Sequence, residues 1–199
     1  KASKMMDIKH AKLMGDGEPS KIVSPNQLRA ALYEVQKKLD VTSPKNNHWI
    51  QVVQALRALR LLLHGGALEA DENASEVFWN TFSHFSDTIL NNLFHSEATV
   101  TVECLALLEE LSEQSRAGKK TLAIDFLLDS AIPKIVEVAA NGEGTASSRQ
   151  AETSLEFILQ NLPPDLVVSK LCDMMILGDN KQKAFCAEHL LGILRTDTS

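Results

Sequence analysis

A handful of residues have side chains suited to chemistry, and each can be tested against the spacing that its chemistry needs. Gly15-Asp16-Gly17 followed by Lys21 hints at a phosphate loop. A P-loop requires a preceding strand and fixed offsets between its glycines and lysine, and neither condition is met. Cys172 and Cys186 do not form a close-spaced pair of metal ligands. His84 and His95 stand eleven residues apart, about three helical turns, so zinc finds no tight constellation. The pairs Glu109-Glu110 and Asp71-Glu72 read as solvated helix faces and not as an acid working with a base. No serine stands in a nucleophile elbow. The expectation is a non-catalytic chain with no cofactor and no metal.

Composition points the same way. Hydrophobic residues make up 44% of the 199, enough for a substantial core, while aromatics are only 5%. Leu and Ala dominate the apolar set, which favours helices over the β-branched and aromatic make-up of strands. The net charge of -6 argues against nonspecific binding to nucleic acid or an anionic membrane. The charge is uneven: residues 1–48 carry nine Lys and Arg against five Asp and Glu, and the remainder eleven against twenty-one. The three cysteines, Cys104, Cys172 and Cys186, lie within apolar helical patterns. An odd count without a disulfide framework reads as free thiols in a reducing, cytoplasmic compartment. No apolar run approaches the roughly 18 residues that span a bilayer, and the amino terminus lacks a signal-peptide core. The chain begins at Lys1 without Met and is taken as a fragment of something longer.

The elements that must position any binding residue are helices. Residues 1–24 are polar and Lys-rich, broken by Gly15, Gly17 and Pro19, and read as a basic arm or linker. Ser24-Pro25 supplies a cap and a first-turn proline for a helix over 25–39. A second helix runs over 48–64 and stops at Gly65-Gly66. Further helices are predicted over 74–94, with Asn73 as cap, and over 97–114 and 120–140. Pro133 should kink or split the last of these. Helices over 147–161, 164–177 and 180–195 complete the chain, and no alternating strand pattern is present.

Four of these helices share a stripe: a small residue, Leu four positions later, then Leu or Ile three after that. The members are Ala55-Leu59-Leu62, Cys104-Leu108-Leu111, Ala151-Leu155-Ile158 and Cys186-Leu190-Ile193. Positions i, i+4 and i+7 share one face of a helix. The small residue admits a neighbouring backbone, and the larger ones fill the layer between repeats. The small residues recur at spacings of 49, 47 and 35, against about 40–47 for HEAT and armadillo repeats. A helix pair cannot bury its apolar face alone, so such pairs stack. The fold class expected is all-α, an α-solenoid of about four HEAT- or armadillo-like helix pairs; an ordinary helical bundle would also yield some such matches.

The stretch over 39–67, LDVTSPKNNHWIQVVQALRALRLLLHGGA, resembles the first repeat of a TOG domain of the CLASP type. The resemblance lies in Trp49 at the turn, then Ala55-Leu56, Leu59-Arg60 and Leu62-Leu63. VTVECLALLEELS over 100–112 looks like the second repeat, and residues 25–199 would form the TOG-like domain. Ser130-Ala131-Ile132-Pro133-Lys134-Ile135-Val136 is also similar to an armadillo repeat. The TOG resemblance implies a paddle whose edge of intra-repeat turns binds αβ-tubulin or microtubules in a cytoskeletal protein. Those turns map to 45–49, 95–99, 141–149 and 178–183. The resemblance would expose Trp49 to the partner, where an aromatic ring burying 150–250 Å² contributes up to about 4–6 kcal/mol before the cost of association. The other reading is that Trp49 staples the start of its helix against Leu39. Lys45, Arg149, Lys181 and Lys183 would meet an acidic surface, steering encounter and fixing register, or would simply be solvated turn residues. The family usually places an Arg three residues after the Trp, where this chain has Val52, and the second turn carries Glu97 and no Lys or Arg. An armadillo-like adaptor holding a peptide in its groove is the alternative.

Overall fold

The computed structural model describes residues 24–40, 48–68, 72–118, 121–142 and 144–196, which are helices and turns with no strand among them. The all-α class is as expected. The chain divides into two compact units, Lys1–Glu110 and Leu111–Ser199. Residues 1–23 of the expected arm lie outside the described residues.

In the first unit, α1 spans Pro25–Leu39. The Gln27 amide donates to Ser24 Oγ at 3.3 Å, and Pro25 takes the first-turn position where its missing N–H is harmless. Leu28, Leu32, Val35 and Leu39 form its buried face. Helix α2 spans His48–His64. It ends in a Schellman pattern: the Gly66 amide donates to Leu63 O and the Ala67 amide to Leu62 O, each at 3.0 Å. Gly66 has φ +82°, which is why the second glycine of the pair stands there. Helices α3 (Glu72–Phe82) and α4 (Ser86–Asn91) lead through a 3₁₀ turn, Asn92–Phe94, into α5 (Ala98–Gly118), whose residues from Leu111 on belong to the second unit. Helix α1 packs against both α2 and α3.

The single helix expected over 74–94 is broken at 83–85, and Asn73 lies inside α3 instead of capping it. The break has a packing cause. Phe78, Phe82 and Phe85 are all fully buried, with ring centroids 5.4 Å apart for the first two and 5.5 Å for the second pair. The i to i−3 bonds of His84 to Thr81 O and Phe85 to Phe82 O tighten the turn that brings Phe85 inward. Ser83 Oγ donates back to Asn80 O at 2.9 Å, competing with the helix ladder.

In the second unit, α6 (Thr121–Phe126) passes through a π-turn, Leu127–Ala131, into α7 (Ile132–Asn141). The disruption expected at Pro133 takes this form. Proline cannot donate to the carbonyl four residues back and its ring crowds it. One wider turn, with the Ile132 amide donating to Leu127 O, lets the helix continue. Helices α8 (Ala146–Asn161), α9 (Pro164–Leu177) and α10 (Asn180–Thr196) follow. Thr145 caps α8 by accepting from the Ser148 amide at 3.1 Å, and Ser148 Oγ donates to Ala139 O at 2.8 Å, tying α8 to the end of α7. Asp179 Oδ1 accepts from the Lys181 and Gln182 amides, while Gln182 Oε1 accepts from the Asp179 amide, a capping box for α10.

Most of the stripe residues sit in the core. Ala55, Cys104, Ala151 and Cys186 are each 0% exposed, as are Leu59, Leu108, Leu111, Leu155 and Ile158. Leu62, Leu190 and Ile193 are half-buried. Burial drives the Cys104 and Cys186 thiols upward from their ordinary range, so both act as small apolar fillers. Cys172 faces solvent as a free thiol. Among the described residues no helix is long and apolar enough to cross a membrane.

Candidate functional site

The residues expected to bind a partner are distributed over both units. Trp49 is the second residue of α2, in the first unit, and is half-buried, intermediate between a free anchor and a core staple. Val52, one turn on, is only 1% exposed, so this position carries a core contact where the resembled family carries a cation. Lys45 lies outside the described residues. Arg149 is exposed in the first turn of α8, Lys181 is exposed and Lys183 half-buried in the first turn of α10, all in the second unit. A cation at a helix amino terminus opposes the helix dipole, so the dipole itself does not favour these charges. The second turn presents exposed Glu97, Ala98 and Thr99, with the Glu97 amide donating to His95 Nδ1 at 3.0 Å.

The direction of neighbouring helices determines which turns within a unit share an end. In the first unit, Arg57 pairs with Glu103 and, about two turns later, His64 pairs with Glu110, so α2 and α5 run side by side in the same direction. The starts of α2, with Trp49, and of α5 therefore lie at one end. In the second unit, Lys170 on α9 pairs with Asp129 at 3.0 Å, and farther along Met174 and Gly178 line one cavity with Pro133 and Glu137. Helix α9 thus runs in the same direction as α7. The α7–α8 turn with Arg149 and the α9–α10 turn with Lys181 and Lys183 lie toward the same end of that unit.

Sequence reasoning missed the most polar part of the interior. Glu110, expected on a solvated face, has a side chain only 11% exposed, and Glu103 is 8% exposed. Arg57 Nη2 lies 2.7 Å from Glu103 Oε1, and Arg60 Nη1 lies 2.8 Å from Glu103 Oε2. Arg60 Nε then donates to Glu110 Oε1 at 2.6 Å, with His64 Nε2 3.2 Å from the same oxygen. Burial works against the charge on Arg60, but the hydrogen bonds and attraction from Glu110 and Glu103 outweigh it and hold its pKa above the ordinary value. The signal was present: Arg57, Arg60 and His64 recur at helical spacing along α2, and Glu103 and Glu110 lie two turns apart on α5. This network fixes one helix against another. Among the described residues no group of three or more His, Cys, Asp or Glu side chains is placed to hold a metal.

Comparison of the chain with protein-family models, with curated proteins and with solved structures gave no match.

Proposed function

We propose that the chain is a non-catalytic, TOG-like array of HEAT-type helix pairs that binds αβ-tubulin or microtubules through the turns preceding its stripe helices. The reading places it in a cytoplasmic, cytoskeletal protein. The observation that carries it is the pairing of fully buried small residues, Ala55, Cys104, Ala151 and Cys186, with half-buried or exposed turn residues at the starts of their helices. Within each unit the stripe helices begin at one end, which is what a turn-edge binding surface requires. Trp49 is only half-buried, and Arg149 and Lys183 have no ion-pair partner among the described residues. Such charges steer encounter with an acidic surface and weaken with salt.

The buried Val52 and the cation-free second turn favour a second reading, an armadillo-like adaptor that does not bind tubulin. Size-exclusion chromatography with free tubulin at low and moderate salt separates the two. The TOG-like reading expects co-elution at low salt, weakened at least about tenfold by Trp49→Ala, a change within the range of an interface aromatic. Absence of co-elution at low salt for the wild-type chain would leave the adaptor reading.

A further inference from the structure

The second unit contains a cleft of about 590 Å³ between α8 and α10, with Pro164 and Val167 at the start of α9 also in its lining. Its size lies within the about 300–1,000 Å³ typical of ligand sites. Glu152, Glu156 and Leu159 line one wall at i, i+4 and i+7 of α8; Phe185, Glu188 and His189 line the other. Gly192 lies in the same wall of α10, and a Cβ built on it meets nothing within 4 Å, so the glycine leaves the cleft open.

The charge is one-sided. Glu152, Glu156 and Glu188 are exposed and none has an ion-pair partner among the described residues. The His189 ring stacks obliquely on Phe185, centroids 4.5 Å apart, and is half-buried. Three uncompensated carboxylates around an aromatic and apolar wall suit a long cationic side chain. The methylene stem of Lys or Arg lies along apolar surface while its head stays with the acids, and an aromatic face attracts the cation further.

We propose that the cleft between α8 and α10 receives a basic, amphipathic peptide segment of a partner protein. Its Lys or Arg heads enter between Glu152, Glu156 and Glu188, and its apolar side chains lie against Phe185 and Leu159. The ligand is opposite in charge to the acidic partner proposed for the turns, so the two sites stand or fall separately.

The test is fluorescence anisotropy of the whole chain with a fluorescein-labelled Lys/Leu peptide patterned as an amphipathic helix, alongside ¹H–¹³C spectra of the His189 ring. Saturable binding is expected, weakening with salt and shifting the His189 signal. The triple variant Glu152→Gln, Glu156→Gln, Glu188→Gln should lose about tenfold in affinity. Removing equal charge elsewhere in the unit, by Glu113→Gln, Asp125→Asn and Asp173→Asn, should change it less than about twofold. Gly192→Leu should fill the cleft, retain the fold by circular dichroism and thermal melting, and lose binding. Equal losses in the two triple variants, an unmoved His189 signal at saturation, undiminished binding by a folded Gly192→Leu chain, or no saturable binding by the wild type would each overturn the proposal.

Discussion

Two pairs of stripe helices obey the same apolar template and end in opposite polar arrangements. Between α2 and α5 the edge residues are complementary: Arg57, Arg60 and His64 face Glu103 and Glu110 at 2.6–3.2 Å. Between α8 and α10 they are alike: Glu152 and Glu156 face Glu188 across a cleft of about 590 Å³, with the lone imidazole of His189 among them. The small-Leu-Leu/Ile stripe places helices in layers but does not decide how closely their flanks meet. Complementary charge closes the first flank. Like charge, with a glycine at position 192, leaves the second open.

The largest expected effect lies in the closed pair. Arg60→Met leaves Glu103 and Glu110 buried with fewer partners, and should destabilise the chain by about 3 kcal/mol, measured by urea unfolding. Arg60→Met combined with Glu110→Met should recover much of that loss. Glu156→Ala, at the open pair, should change stability by less than about 0.5 kcal/mol. Similar losses from Arg60→Met and Glu156→Ala would remove the contrast.

Gly192→Ala should stabilise the chain by about 1 kcal/mol, because alanine is the better helix former and its methyl group enters empty space. A decrease in melting temperature would mean that the wall of the cleft is already filled.

The smallest effect concerns pH. Burial lowers the pKa of His189 below 6.5, against the opposing pull of Glu156, Glu188 and Glu152. The unfolded chain therefore binds the proton more readily than the folded one between 6.5 and the lower folded value. Stability attributable to this residue is full above 6.5 and is lost as pH falls through that window. His189→Gln should flatten this part of the pH profile in unfolding experiments, and an unchanged slope would count against a half-buried imidazole whose pKa is lowered.

Much of the helical framework was legible where local chemistry defines a boundary. Ser24-Pro25, Gly65-Gly66 and Pro164 gave starts and stops that the structure reproduces, and the stripe found residues that are buried. The break at 83–85 was not legible, because Phe82 and Phe85 continue an apolar pattern and only their joint burial shows that the chain must turn. The inward role of Glu103 and Glu110 was hidden for a related reason. Their partners lie 43–50 residues away in α2, and helical periodicity does not identify which polar flank another helix will cover. The candidate turns were legible as positions only, since half-exposure of Trp49 and burial of Val52 depend on tertiary packing.

Amide hydrogen exchange with and without tubulin tests the binding account most directly. The account predicts slowed exchange at saturating tubulin over 45–49, 141–149 and 178–183, with the interior of α2 and α5 unaffected. Unchanged exchange in all three turns, or protection confined to the α8–α10 cleft, would contradict it.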